Sequence, residues 1–388
     1  MTHTVLVVFG TRPEAIKMAP VIKELEGRPA QFTTISCVTA QHRRMLDQVL
    51  SIFDIRPRYD LDIMRDNQNL FDITAHALTG LREVLEETAP DVVLVQGDTT
   101  TAFVAGLAAY YLRIPVGHIE AGLRTWNKYS PFPEEVNRRL LSVVADFHFA
   151  PTEWSRSNLI GEGTDPKRIW VTGNTVIDAL MMIKDRQEAE PARTALMEGF
   201  RERWGIGFPE GRRVVLVTGH RRENFGAGFR NICMALKAIA GERPDVDIIY
   251  PVHLNPSVQR PVREILSGVP NIHLIEPVEY EQFIFLMNRS YLILTDSGGV
   301  QEEAPSLGKP VLVMREVTER PEGVEAGVVR LVGTDRDKIV TSVTELLDDG
   351  ATYRRMAEAM NPYGDGKAAR RIADILASNA AADGGGPA

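Results

Sequence analysis

Tyr291-Leu292-Ile293-Leu294-Thr295-Asp296-Ser297-Gly298-Gly299-Val300-Gln301-Glu302-Glu303 joins an apolar run to a short helical stretch through two glycines. The run 291–295 reads as a buried strand, and glycines without a Cβ let the backbone after it close on a ligand. Free N–H groups at the following helix start, reinforced by its dipole, favour an anion there. Glu303 falls about one turn beyond Gly299, on a face from which a carboxylate can accept hydrogen bonds from ribose hydroxyls. Strand, glycine turn and helix start in this order make a phosphate cradle, and the ligand implied is a nucleoside diphosphate.

The same scheme extends outward from this stretch. Residues 213–218, 246–251, 272–275, 291–295 and 310–314 read as strands separated by helical patterns. The first half does likewise, with strands expected at 4–9, 33–38, 91–96, 115–119 and 146–150. Pro13 suits the first turn of a helix, and Ile16, Ala19, Ile22 and Leu25 give that helix an apolar face. Strand, helix, strand in series implies right-handed crossovers and parallel sheets covered on both sides.

The fold class expected is therefore α/β: two Rossmann-like, doubly wound parallel-sheet domains. The first spans 1–178 and the second 179–365, with a hinge near the start of 184–211 and a peripheral helix within that stretch. A closing helix within 366–379 is expected to cross back onto the first domain, and 380–388 to be a disordered tail. Two such domains should present the carboxyl ends of their strands to a shared cleft where ligands bind.

Composition fits two ordinary cores: 388 residues, 44% hydrophobic and 25% charged, within the range of soluble domains. No apolar stretch reaches the roughly 18 residues of a membrane helix, and the chain starts without a signal peptide, so a cytoplasmic protein is expected. A formal net charge of −8 argues against general nucleic-acid binding. Cys37 and Cys233 lack metal or redox spacing and read as buried thiols. No HExxH, EF-hand loop, GxGxxG or GxSxG occurs, so neither a metal, a nicotinamide cofactor nor a serine hydrolase is indicated.

Several polar residues follow the strands. Arg12 and Lys17 stand at the first helix start, placed for phosphate or as solvated charges. Asp98 reads either as a site carboxylate or as the N-cap of the helix after it, and Glu134 either as a site carboxylate or as a first-turn acid. Glu120 ends an apolar strand with no capping role in view. His220 follows a strand beside Gly219 and two arginines, where a protonated imidazole can bond a diphosphate. His253 is placed similarly, or caps a turn.

Phe9-Gly10-Thr11-Arg12-Pro13-Glu14-Ala15-Ile16-Lys17, Gly97-Asp98-Thr99-Thr100, His118-Ile119-Glu120-Ala121-Gly122-Leu123-Arg124, Thr218-Gly219-His220-Arg221-Arg222-Glu223 and residues 296–303 together resemble the non-hydrolysing UDP-N-acetylglucosamine 2-epimerases. The resemblance implies a glycosyltransferase-B-like architecture, a homodimer, and interconversion of UDP-GlcNAc and UDP-ManNAc without nicotinamide or metal. It puts nucleotide contacts on Arg12, Phe283, Ser297, Gly298, Gly299, Glu303 and Arg320. Its sugar-side residues are Lys17, Asp98, Glu120, Glu134 and His220. A second, regulatory UDP-GlcNAc site is matched by Gln41, Gln68 and His253, though Asn67 departs from an arginine found in some relatives. The route it implies is loss of UDP followed by re-addition; within that route Asp98 and Glu120 are expected to handle the proton, with Glu134 as cation stabiliser or second acid. Rival readings are a glycosyltransferase, a hydrolysing epimerase and a nucleotide-sugar sensor without chemistry.

Overall fold

A computed structural model describes residues 2–40, 43–65 and 68–383. The chain divides into two compact units: one runs to Ala179 and resumes at Tyr363, the other is Leu180–Pro362.

The first unit is built on seven parallel strands: β1 (His3–Phe9), β2 (Phe32–Val38), β3 (Tyr59–Asp60), β4 (Val92–Gln96), β5 (Val116–Ile119), β6 (Phe147–Ala150) and β7 (Ile169–Val171). Their order is β3-β2-β1-β4-β5-β6-β7. Helices cover both faces, so the strands are near-continuous apolar runs rather than alternating ones. Leu6, Val8, Val93 and Val95 meet Leu81, Leu85, Ala105 and Leu141 in one core, and each such side chain contributes roughly 1.5–3 kcal/mol on burial.

Three helices of this unit carry or directly follow site residues: α1 (Arg12–Glu26), α2 (Thr100–Tyr111) and α3 (Glu134–Val144). A capping box between Thr11 and Glu14 starts α1, with Pro13 in the first turn as expected. Thr99 caps α2 by accepting from the Ala102 N–H, so the N-cap reading of Asp98 is wrong by one residue.

The second unit repeats the scheme with β8 (Arg213–Thr218), β9 (Val246–Pro251), β10 (Ile272–Ile275), β11 (Leu292–Thr295), β12 (Val311–Val313) and β13 (Val329–Leu331), ordered β10-β9-β8-β11-β12-β13. Val215, Val217, Leu292, Leu294 and Leu312 form its core with Leu236 and Ile339.

Where a hinge was expected near 184, the chain is helical. α4 (Thr175–Glu188) is unbroken, because it contains neither glycine nor proline and eight of its fourteen residues are the good helix formers Ala, Leu, Met, Lys, Arg, Gln or Glu. A helix does lie within 184–211, at Ala192–Trp204, anchored by Phe200 against Trp204, Phe208 and Phe285. In the second unit, α5 (Tyr280–Arg289) and α6 (Gly298–Glu303) bear on the site. The closing helix α7 (Ala368–Asp383) belongs to the first unit and packs on α1, with Arg28 2.6 Å from Asp374. It outruns the expected end, so 380–383 are helical rather than tail, and the remainder of that tail lies outside the described residues.

Cys37 and Cys233 are buried, and burial pushes each thiol up to about 12. Among the described residues no helix is long and apolar enough to cross a membrane.

Candidate active site

Each sheet reverses its order once, between β1 and β4 in the first unit and between β8 and β11 in the second. Ligands of doubly wound sheets bind beyond the carboxyl ends of the strands at that point. The sequence places Gly10-Thr11-Arg12 after β1, Asp98 after β4, His220 after β8 and Asp296-Ser297-Gly298 after β11.

In the first unit, Glu120 stands just past β5, 8% exposed and in the left-handed region at φ +66°. That conformation costs a non-glycine residue roughly 1 kcal/mol or more, and it is held by three donors. Lys17 Nζ lies 2.5 Å from Glu120 Oε1, Asn174 Nδ2 donates to the same oxygen at 3.1 Å, and Gln96 Nε2 donates to Oε2. Lys17 therefore pairs with a carboxylate in this structure instead of standing free for phosphate.

Asp98 has Arg138 at 3.3 Å and its carbonyl accepts from Asn137 Nδ2 at 3.0 Å. Burial raises the Asp98 carboxyl above its ordinary value; Arg138 and Lys17 oppose the shift, whereas Glu120 and Glu134 add to it. All four neighbours act on one group, so Lys17, Asp98, Glu120 and Glu134 share one place. Glu134 is the first residue of α3, and its Oε2 is buried without a hydrogen-bond partner among the described residues. It is a first-turn acid and also part of the cluster. His118, buried and pushed down to about 3 by desolvation, bonds the Gly97 carbonyl at 2.7 Å and so steadies the turn that carries Asp98. Arg12 opens α1, half-buried and with no ion pair among the described residues.

In the second unit, Asp296 is fully buried, and its carboxylate accepts from the N–H groups of His220 (2.9 Å) and Arg221 (2.9 Å) and from Asn224 Nδ2 (3.3 Å). This ties the loop after β8 to the loop after β11. The His220 ring stacks on His253 at 5.5 Å, with Nδ1 3.4 Å from Asp296. Desolvation, His253 and Arg221 lower its pKa, and Asp296 only opposes them. The expected protonated imidazole is thus disfavoured here. His253 Nδ1 accepts from the Asn255 N–H at 3.1 Å, the turn-capping role.

Ser297 precedes α6, whose first N–H groups have no partner one turn back. The Arg320 guanidinium lies against Gly298: a Cβ there would stand 3.0 Å from Arg320 Cζ. Arg320 is held in place by Glu302 at 2.7 Å and Glu319 at 3.2 Å. Glu303 folds back toward Gly299, and Tyr280 of α5 donates to its Oε1 at 3.0 Å. Phe283, half-buried, lies one turn farther along α5.

Of the regulatory set, Gln68 caps its own loop by accepting from Arg65 N–H and donating to the Ile63 carbonyl. Gln41 and Asn67 lie outside the described residues. The sequence reading missed Arg138, Gln96, Asn174 and Asp296. Asp296 carried the signal used elsewhere, an acid just past a strand; the two amides carried none.

The family model for UDP-N-acetylglucosamine 2-epimerase matches residues 23–377. A UDP-N-acetylglucosamine 2-epimerase of Yersinia pestis is 58% identical over 96% of this chain and 98% of its own. The Escherichia coli K12 enzyme of that name is 56% identical over 97% and 98%. A crystal structure of UDP-GlcNAc 2-epimerase from Neisseria meningitidis bound to UDP-GlcNAc superposes with a TM-score of 0.86 at 52% identity, covering 96% of this chain and 99% of that one. With two doubly wound sheets and a likeness that spans nearly the whole length, this chain belongs to the UDP-N-acetylglucosamine 2-epimerase family.

Proposed function

We propose that the protein interconverts UDP-GlcNAc and UDP-ManNAc by eliminating and re-adding UDP. The observation that carries this reading is the cluster of Asp98, Glu120 and Glu134 around Lys17 and Arg138 in the first unit. A binding module needs no such set of opposed charges, whereas proton transfer at carbon does.

C2–H of the sugar is not acidic until the C1–O bond weakens. As that bond breaks, its electron pair leaves with the UDP oxygen and positive charge develops at C1 and the ring oxygen. A carboxylate takes the C2 proton, the C–H electrons form the C1–C2 double bond, and a glycal results. Protonation of C2 on the opposite face and return of the UDP oxygen to C1 complete the inversion. Asp98 and Glu120 are the proton carriers. Glu134, with one oxygen unpartnered, stabilises the cation or acts as second acid.

Arg12, His220, Arg320 and the Ser297–Gly298–Gly299 backbone receive the departing diphosphate. Glu303 takes the ribose and Phe283 lies beside the uracil. Gln41, Gln68 and His253 are proposed to hold a second, regulatory UDP-GlcNAc. The product would supply ManNAc for surface polysaccharides, and the enzyme would work in the cytoplasm.

A homodimer fits the outward face of α3, where Val136, Leu140 and Val143 repeat at helical spacing and Val143 is 82% exposed. Sedimentation velocity should give a dimer that Val143→Glu weakens; a wild-type monomer would remove this assignment.

Purified protein with UDP-GlcNAc alone should give UDP-ManNAc by proton NMR. Free ManNAc with UDP would instead mean a hydrolysing enzyme, and no reaction until an acceptor is added would mean a transferase.

A further inference from the structure

At the switch point of the first sheet, one buried carboxylate joins two loops. Glu14 is 1% exposed. Its Oε2 accepts from the N–H groups of Gly10 at 3.1 Å and Thr11 at 2.7 Å, and its Oε1 accepts from the Thr99 hydroxyl at 2.6 Å. A capping box requires only the bonds within the start of α1. The bond to Thr99 is additional, spans 85 residues of sequence and crosses from the loop after β1 to the loop after β4.

Packing presses the same two loops together. A Cβ on Gly10 would lie 2.1 Å from Thr39 Oγ1 and 2.6 Å from Thr101 Oγ1, and those two hydroxyls bond each other at 2.9 Å. Gly10 is therefore the one residue type that lets the loop after β1 sit against the start of α2. Burial raises the Glu14 carboxyl, and the bonds from Thr99, Thr11 and Gly10 oppose that shift. Removing one donor leaves a buried polar group short of partners.

Arg12 lies on one of these loops and Asp98 on the other. We propose that Glu14 is a positioning residue, which locks the turn bearing the phosphate-binding Arg12 to the turn bearing the proton carrier Asp98. Asp296 has the same form in the second unit: a buried acid at the switch point, holding backbone N–H groups of the neighbouring loop. Each sheet thus fixes its paired loops with one carboxylate. This role rests on the epimerase reading above, and the experiment separates the two.

Thr99→Val removes the hydroxyl that reaches Glu14, and Thr99→Ser keeps it. Thr99→Val should lower kcat about ten- to a hundredfold, the loss expected when a reacting group is displaced by up to about an ångström. KM for UDP-GlcNAc should change less than about threefold and Thr99→Ser should restore kcat, because Gly10 and Thr11 still reach Glu14, though less persistently, without the Thr99 hydroxyl.

The second readout needs no turnover. Amide hydrogen exchange at Gly10 and Thr11 should quicken at least about threefold in Thr99→Val, although a purely local cap would alter only the start of α2. Wild-type kcat in Thr99→Val, equal losses in the Val and Ser variants, or unchanged exchange at Gly10 and Thr11 would overturn the tie. A wild-type protein that forms no UDP-ManNAc overturns the epimerase reading instead, and the exchange result still decides whether Glu14 couples the loops.

Discussion

Arg138→Met tests how the site holds Asp98 charged. The guanidinium is 9% and the Asp98 carboxylate 28% exposed, at 3.3 Å separation. At an effective dielectric near 20 their attraction is roughly 5 kcal/mol, and partial exposure screens it further. Even a quarter of that, about 1.3 kcal/mol, corresponds to one pH unit of titration. Arg138 opposes the upward push of burial on Asp98, so its loss should move the acid limb of kcat/KM upward by at least about one pH unit.

Stability follows with a definite sign. The folded Asp98 pKa is already raised, so its contribution falls as pH rises from the unfolded value through the folded one, and the variant extends that fall to higher pH. Arg138 also pairs with the fully buried Glu135 at 3.4 Å; leaving such partners behind costs about 3–5 kcal/mol, and protonation of Asp98 relieves part of that cost at low pH. Arg138→Met should therefore lose more melting temperature relative to wild type at pH 8 than at pH 5. Turnover by NMR from pH 5 to 9, with thermal unfolding at both ends, reads both effects. An acid limb that stays put or moves downward would refute the reasoning.

Other perturbations reach different parts of the molecule. Gly298→Ala puts a Cβ 3.0 Å from the Arg320 guanidinium, so UDP affinity by calorimetry should drop about tenfold, some 1.4 kcal/mol, with the melting temperature nearly unchanged. His220→Ala should weaken UDP binding and turnover together, and wild-type kinetics would return His220 to a packing role. Asp178 caps α7 by accepting from Ala368 and Ala369 N–H, and burial raises it to about 6. Its charge therefore costs stability as pH rises from about 4 through 6, at most roughly 3 kcal/mol. Asp178→Asn, which keeps an acceptor without the charge, should be more stabilising in thermal melts at pH 8 than at pH 5.

Much of the fold was legible because long β-branched runs alternate with helical patterns, as at β1, β8 and β9. Three of the shortest strands were not: β3, β7 and β13 are too short for periodicity to register, and they form because a neighbouring strand offers a parallel edge. Glu- and Arg-rich sequence after 184 reads as linker, but its first residues continue a helix to Glu188.

At the candidate site, Asp98 and Glu120 stood out in the sequence as acids just past strands, although Asp296, with the same signal, was passed over. Arg138 did not stand out, since Arg138-Arg139 on an amphipathic helix resembles a solvated face, and only the tertiary fold shows that the first of the pair is buried against Asp98. The titration of His220 was also out of reach, because it depends on burial and on Asp296 and His253 reaching it from other loops.

Deuterium incorporation at C2 tests the central claim most directly. In deuterated water the wild-type protein should place solvent deuterium at C2 of both UDP-GlcNAc and UDP-ManNAc. Asp98→Asn and Glu120→Gln should each abolish that exchange while UDP affinity stays within about threefold of wild type. Full exchange in either variant, or epimerisation by the wild type without any solvent label, would contradict it.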